Sequence, residues 1–226
     1  MATKKINIEP IKKTTLRMTI VGDSDLILHK KSRSFERLEV FKQSHDKGTD
    51  IPQIYTQSKN PWEVLITTIT WLHPIEFHDD DWSKYTEEEW NNYMANNKPC
   101  ILAQAFYGSF MECFVTFYKE KTKKNGTDFR RAVNIVNQLT PIDFASAETE
   151  EKLVPNGGIS NTNVLCQQNV FHGWSCTLEL TVADIVFPYE TILSIIQTTG
   201  EFIGVGTQRK NGYGRFHIDG IEIVKG

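Results

Sequence analysis

The sequence of 226 residues lacks the features that mark membrane and secreted proteins. It has no run near the roughly 18 apolar residues that a membrane-spanning helix needs. Its start carries lysines but no apolar stretch follows them, so no signal peptide is predicted. We therefore expect a cytoplasmic protein with no membrane partner. Hydrophobic residues make up 39% of the chain and charged residues 23%, which is enough apolar material for a packed core.

Motifs for metals and cofactors are missing too. No two of the four cysteines have the spacing of a zinc ribbon or a redox CxxC pair, so we expect them to be thiols of the core. The acidic segment 79–89 contains three aspartates and three glutamates, but it lacks the DxDxDG pattern of a calcium loop. We interpret this segment as a solvated helix start, and its role stays open. No metal and no cofactor are therefore predicted.

Basic residues are unevenly placed along the chain. There are 25 Lys and Arg against 28 Asp and Glu, and the resulting net charge of -3 does not by itself indicate a protein that binds a polyanion. Residues 1–50 nevertheless carry 11 Lys and Arg against 7 Asp and Glu, whereas residues 153–208 have neither Lys nor Arg. Arg209, Lys210 and Arg215 then follow within seven residues. A polyanion-binding surface would have to combine the N-terminal segment with this C-terminal cluster.

The hydrophobic pattern predicts an α+β fold. Alternation of apolar and polar residues predicts strands over residues 16–21, 26–28, 175–182 and 215–224, the last with a bulge at Gly220. Helical spacing of apolar residues, with a proline at three of the starts, predicts helices over residues 34–44, 61–69, 99–113 and 188–199. Residues 154–169 have the composition of a loop or an extended hairpin arm. This order suits an antiparallel sheet with helices on one face.

The most informative stretch follows the last predicted helix, which we expect to end at Gly200. It is rich in glycine, with three bases and Tyr213 between the glycines. Backbone N–H groups in such a loop can hold phosphate oxygens, the bases add positive charge, and Tyr213 can stack on a nucleobase. The stretch is neither a Walker A loop nor a dinucleotide fingerprint, because no Gly-Lys-Ser/Thr ends it and it leads from a helix into a strand. Composition alone fits a purely structural glycine turn equally well.

Order and spacing in this stretch resemble a known superfamily. The pattern IGVG at 203–206, a basic stretch and then GYGRF at 212–216 before the last strand resembles the RAMP superfamily, the ferredoxin-like RNA-binding proteins of CRISPR effector complexes. The chain is more similar still to single-chain, phage-encoded relatives of the backbone subunits of those complexes. LILHK at 26–30, the segment led by Pro99, and the pair Phe171 and Trp174 add weaker matches.

The resemblance implies one RAMP-like domain over residues 1–226. It would be a ferredoxin-like (RRM-like) antiparallel sheet with helices on one face and a glycine-rich loop before the last strand. Inserted loop or helical regions would occupy about residues 45–98 and 119–170.

The resemblance also implies a function, the non-catalytic binding of single-stranded nucleic acid, either RNA or DNA. The protein would be phage-encoded and would assemble along the strand as an oligomer. Glycine-loop residues and N-terminal bases would hold the strand, namely Lys30, Lys31, Arg33, Arg37, Gln208, Arg209, Lys210, Gly212, Tyr213, Gly214 and Arg215.

Two other functions stay open at this level. The acidic segment 79–89 and the base-free stretch favour an interaction or decoy protein that acts on a host defence complex or a signalling nucleotide. Some RAMP proteins cleave RNA with a histidine, and His29, beside Lys30 and Lys31, would be the candidate in a metal-independent endoribonuclease. Because no catalytic triad, HExxH or GxSxG pattern is present, we expect a binding protein rather than an enzyme.

Overall fold

The computed structural model describes residues 11–29, 68–73, 86–155 and 163–225. Its strands are β1 (Lys13–Gly22), β2 (Leu26–Leu28), β3 (Thr70–Trp71), β4 (Pro99–Leu102), β5 (Val133–Ile135), β6 (Leu139–Asp143), β7 (Ser146–Pro155), β8 (Asn163–His172), β9 (Ser175–Ala183) and β10 (Phe216–Lys225). Its α-helices are α1 (Glu87–Ala95), α2 (Ala103–Cys113), α3 (Lys119–Thr122), α4 (Gly126–Ala132) and α5 (Tyr189–Phe202). A π-helical stretch, Phe114–Tyr118, joins α2 to α3, and a 3₁₀ turn, Arg209–Asn211, precedes β10.

The strands form two antiparallel sheets. The larger has the order β10-β1-β9-β6-β4-β3, with β5 also paired to β9, and the smaller has the order β2-β8-β7. Strands β1 and β10 are the first and last described strands of the chain, yet they are neighbours in the large sheet. The predicted α+β class, with antiparallel sheets and helices, is confirmed.

The core lies between one face of the large sheet and the helices α2 and α5. Leu16, Met18 and Ile20 alternate along β1 and are fully buried, as the period of two in the sequence predicts. Phe106 of α2 contacts Phe216 of β10 edge to face, with ring centroids 6.5 Å apart. Cys113 and two further cysteines, Cys100 and Cys176, are buried thiols, as expected. Burial raises the pKa of the Cys176 thiol to about 12.

The predicted bulge in the last strand lies beside Gly220. Thr19 pairs with Gly220 whereas Ile20 pairs with Ile218, so Asp219 is the extra residue. This shift keeps Ile218 and Ile221 on the same face as the core side chains of β1. Beyond the bulge the helices cover the strand less completely, and Ile221 remains 46% exposed.

Two predicted element boundaries are wrong. Pro99 starts strand β4, which is buried between β3 and β6, and helix α2 begins only at Ala103. A proline at a strand start fits the sheet because its missing N–H is needed only inside a ladder. Helix α5 continues through Gly200 to Phe202. The glycine does not end the helix; it lets the helix pack against β10, where there is no room for a side chain. The helices predicted over 34–44 and 61–69 and the aspartates at 79–81 lie outside or almost outside the described residues.

Of residues 154–169, positions 154–155 and 163–169 belong to two paired strands, as in the extended hairpin arm that was one of the two predicted alternatives. Strands β7 and β8 pair over ten positions, from Ser146 with His172 to Pro155 with Asn163. The base of β8 also pairs with β2 through Val170 and Ile27, which ties this arm to the start of the chain. Among the described residues, no helix is long and apolar enough to cross a membrane.

Two glycines in the packed helices provide a matched test of this core. A Cβ at Gly200 would lie 2.0 Å from the carbonyl oxygen of Phe216, whereas a Cβ at Gly108 of α2 would meet nothing within 4 Å. We expect Gly200→Ala to destabilise the protein by about 1–3 kcal/mol through overpacking. We expect Gly108→Ala to stabilise it by about 0.5–1 kcal/mol, because alanine is the better helix former. Urea unfolding of both variants measures the difference, and equal effects would contradict this packing.

Candidate nucleic-acid interface

The segment that joins α5 to β10, residues 203–215, is a folded loop that we call the glycine-rich loop. Its four glycines have positive φ angles between 69° and 89°, a region that residues with a Cβ rarely adopt. At Gly214 a Cβ would also lie 1.9 Å from the carbonyl oxygen of Val205. Only glycine therefore fits there, both for its conformation and for the close approach of the neighbouring backbone.

The backbone of this loop is bonded to the N-terminal part of the protein. The N–H of Thr207 donates to the carbonyl of Ile27 in β2 at 2.9 Å. The N–H of Gly214 donates to the carbonyl of Asp25 at 2.8 Å. Gly204 and Gly212 donate their N–H groups to carbonyls within α5 and the 3₁₀ turn. These four amides are used inside the protein and are therefore not available to a bound phosphate.

The turn between β1 and β2, residues 22–25, is the anchor of the loop. The hydroxyl of Ser24 donates to the carbonyl of Gly212 at 2.8 Å and accepts from the N–H of Arg215 at 2.9 Å. The buried Trp174 donates its indole N–H to the carbonyl of Ser24 at 2.8 Å. One small hydroxyl thus bonds the backbone on both sides of Tyr213 and holds this part of the loop, including the backbone of Arg215, in place.

Histidines from two different strands hold the carboxylates of this turn. His172 of β8 lies with its Nδ1 2.8 Å from Asp25, and His217 of β10 lies with its Nδ1 2.6 Å from Asp23. The Nε2 of His172 is 3.4 Å from Glu148. The hydrogen bond to Asp25 raises the pKa of His172 above its ordinary value. The turn is therefore tied to both sheets.

A cleft of about 780 Å³ lies between the glycine-rich loop and the helices α2 and α5. This volume is within the range of about 300–1,000 Å³ that is common for small-ligand sites. Three cations and one carboxylate are among its lining residues, so the cleft carries an excess of positive charge. The lining residues are Glu112, Phe202, Ile203, Gly206, Thr207, Gln208, Arg209, Lys210, Asn211 and Arg215.

The three predicted phosphate-binding cations have different surroundings in this cleft. Arg209 is already engaged, since its guanidinium lies 3.0 Å from both the hydroxyl of Ser109 and the carboxylate of Glu112 on α2. Lys210 lies on the exposed surface of the 3₁₀ turn. Arg215 is half-buried, and its Nη1 is shielded from solvent without a hydrogen-bond partner among the described residues. A buried guanidinium N–H without an acceptor costs free energy, and a local movement that brought it to an anion in the cleft would remove that cost.

Gln208 connects the cleft to the hairpin arm. It has a left-handed backbone with φ of 58°, and its amide donates to the buried Gln168 of β8 at 3.1 Å while accepting from Asn211 at 2.7 Å. Gln168 donates in turn to Glu150 of β7. Side-chain amides thus form a continuous hydrogen-bonded chain from the glycine-rich loop to the hairpin of β7 and β8. These bonds orient Gln208 and occupy its amide, which leaves it less available to a nucleic-acid strand.

Comparison with known proteins gives a match only at the level of structure. No family model matches the chain, and no curated protein matches it significantly. A chain of a cryo-EM structure of the Type III-B Cmr-beta bound to cognate target RNA matches 95% of this chain with a TM-score of 0.50 and 12% identity. This protein spans 61% of the length of that chain. A crystal structure of Cmr6 from Pyrococcus furiosus has a TM-score of 0.34 at 12% identity, covering 91% of this chain and 98% of that one, which is too low to support an argument.

The likeness to the chain of the Cmr-beta structure concerns the fold. At 12% identity it establishes the fold alone. It agrees with the ferredoxin-like architecture that the resemblance implied. The helix α5, the glycine-rich loop and the strand β10 follow one another in the order that the sequence predicted.

The open face of the large sheet is a poor nucleic-acid surface over β1 and β9. Strands β1 and β9 carry no aromatic residue on it, and Arg17 lies between two carboxylates. The guanidinium of Arg17 is 3.0 Å from Glu179 and 3.3 Å from Glu222. Aromatic stacking and free positive charge, the two usual means of holding a single strand, are therefore both weak on β1 and β9.

The other predicted site residues are placed as follows. Gly212 and Gly214 shape the loop, and Tyr213 is half-buried between them with a contact of its own. His29 is exposed directly after β2 and also has an interaction partner. The N-terminal bases Lys30, Lys31, Arg33 and Arg37 lie outside the described residues.

Sequence reasoning missed the helix side of the cleft. Ser109 and Glu112 are three residues apart on α2 and so share a face, which is the signal that could have found them. Phe202 was missed because the helix was expected to end at Gly200. Ser109 and Glu112 lie about 100 positions before Arg209 in the chain, whereas Phe202 lies seven before it. The packing of α2 against α5 brings the two groups together at the cleft.

The ion pair of His172 with Asp25 predicts a pH-dependent stability. Because the pKa of His172 is raised above 6.5 in the folded protein, the pair stabilises the fold fully below that pH and less as the pH rises through the folded pKa. Asp25→Asn should therefore cost more stability at pH 5.5 than at pH 8.5, as measured by urea unfolding. In a His172→Gln background the same substitution should cost the same at both pH values. An equal cost at both pH values in the wild-type background would contradict this assignment.

Proposed function

We propose that this protein binds single-stranded RNA in the cleft beside the glycine-rich loop and does not cut it. The observation that carries this proposal is the pair of cations that line the cleft, Lys210 and Arg215, where the Nη1 of Arg215 has no hydrogen-bond partner within the part of the chain that the structure describes. Phosphate oxygens are the acceptors that such a guanidinium and ammonium pair binds best.

The choice of RNA is supported by the neighbour in fold. The matching chain belongs to a Type III-B Cmr-beta structure that contains cognate target RNA. DNA is the comparison against which this preference is measured.

A binding role rather than cleavage is supported by how the nearby histidines are used. His172 and His217 each direct Nδ1 to an aspartate of the turn 22–25, which is the turn that anchors the loop. Both therefore have a structural task in fixing the loop. His29 is exposed directly after β2, two residues beyond Ile27, whose carbonyl bonds the loop, and we assign it no catalytic task.

Charge neutralisation in the cleft predicts the first binding experiment. Anisotropy of a labelled RNA decamer should give an affinity that falls with salt, with a log–log slope of about -1.4 for the two phosphate contacts of Arg215 and Lys210 on a single strand. Arg215→Gln and Lys210→Gln should each weaken binding and reduce the slope by about 0.7, because each removes one contact. Single-stranded DNA of the same sequence should bind more weakly.

Arg17→Gln is the matched control, since it removes the same charge from the open face of the sheet. We expect it to leave the affinity for the decamer unchanged. Loss of binding in Arg17→Gln with full binding in Arg215→Gln would move the site to the sheet face. A flat salt response of the wild-type protein would overturn the proposal itself.

The proposal includes assembly of several copies along one strand. Within the described residues β10 pairs only with β1, and the outer part of this edge strand exposes Ile221, Ile223 and Val224 by 46%, 43% and 53%. Exposed apolar side chains on an open strand edge favour contact with another chain. In sedimentation velocity the complex should grow as the RNA lengthens from about 10 to about 40 nucleotides, several times the site size of roughly 4–16 nucleotides known for small strand-binding domains. A constant one-to-one complex on the longer strand would contradict assembly.

A further inference from the structure

Two aromatic side chains are exposed together beside the cleft. Phe202, the last residue of α5, is 60% exposed, and Phe117 of the π-helical stretch is 38% exposed. Their ring centroids are 6.0 Å apart at a tilt of 50°. The exposed Phe202 also lines the cleft that contains Lys210 and Arg215. A large aromatic surface at the rim of a cationic cleft contributes little to the core, so its exposure calls for a ligand.

The π-helical stretch explains how Phe117 comes to lie there. Phe114 is fully buried and stacks on Phe129 with centroids 5.0 Å apart, which fixes one side of the stretch in the core. The hydroxyl of Tyr118 donates to the carbonyl of Ser194 at 3.0 Å, which ties the other end to α5. The wider turn between these anchors directs Phe117 outward against Phe202, and such π-helical stretches are frequent at functional sites.

We propose that Phe202, supported by Phe117, is a stacking platform for one nucleobase of the bound strand. The inference rests on the proposed function, since the phosphates beside this base would be held by Lys210 and Arg215. A nucleotide needs both an aromatic surface for its base and a cation for its phosphate, and the cleft provides the two side by side. Base stacking is assigned to Phe202 rather than to Tyr213, because Tyr213 is half-buried and does not line the cleft.

The test compares a uridine RNA decamer with a decamer of the same length in which every nucleotide is abasic. Phe202→Ala should weaken binding of the uridine decamer by about 5- to 150-fold, the loss of one base stacked on an aromatic ring. It should leave binding of the abasic decamer unchanged, because that strand offers phosphates but no base. Phe202→Tyr should restore the affinity for the uridine decamer, since the ring is retained.

The control for an exposed apolar residue away from the cleft is Ile185→Ala, at a position that is 78% exposed. It should bind both decamers as the wild-type protein does. Arg215→Gln separates the two proposals, because it should weaken binding of both decamers. If Arg215→Gln weakens binding while Phe202→Ala has no effect on the uridine decamer, the stacking platform is overturned and the cleft remains the binding site. If neither substitution has an effect, the proposed function itself is overturned.

Discussion

The hydrogen bonds between the turn 22–25 and the glycine-rich loop are the constraint on which the site depends. Ser24 bonds the backbone on both sides of Tyr213, and the neighbouring aspartates are held by histidines from β8 and β10. Without this turn, the basic stretch would be a flexible loop whose cations pay a large entropic cost on binding. With it, Lys210 and Arg215 project from a fixed backbone into a fixed cleft.

The same constraint limits how the loop can bind a nucleic-acid strand. Glycine-rich loops commonly bind phosphate through their backbone amides. Here the amides of Thr207 and Gly214 bond to Ile27 and Asp25, so the loop uses its amides to hold itself against the N-terminal strands. In the proposed complex, charge on the loop and aromatic surface beside the cleft therefore contribute to the binding energy together. Arg209, paired with Glu112, joins the loop to α2.

Periodicity and glycine spacing were informative about the fold for a physical reason. A strand with one buried face alternates apolar and polar residues, as β1 does at Leu16, Met18 and Ile20. This pattern lies within one short segment, so it can be recognised without knowing what the strand packs against. The boundaries at Pro99 and Gly200 were predicted wrongly because both residues have two uses. Proline starts strands as well as helices, and glycine can end a helix or let it pack closely on a neighbour.

The sequence by itself determined the α+β class, the order of helix, glycine-rich loop and last strand, and the position of the basic cluster, because each depends on residues close together in the chain. Only the tertiary structure decided which cations line the cleft with free donors and which are paired. Arg209 and Arg215 look alike in the sequence, yet one meets Glu112 on α2 while the other has a buried nitrogen without a partner among the described residues. That difference arises from contacts between distant segments, and a linear pattern of residues contains no information about their separation in space.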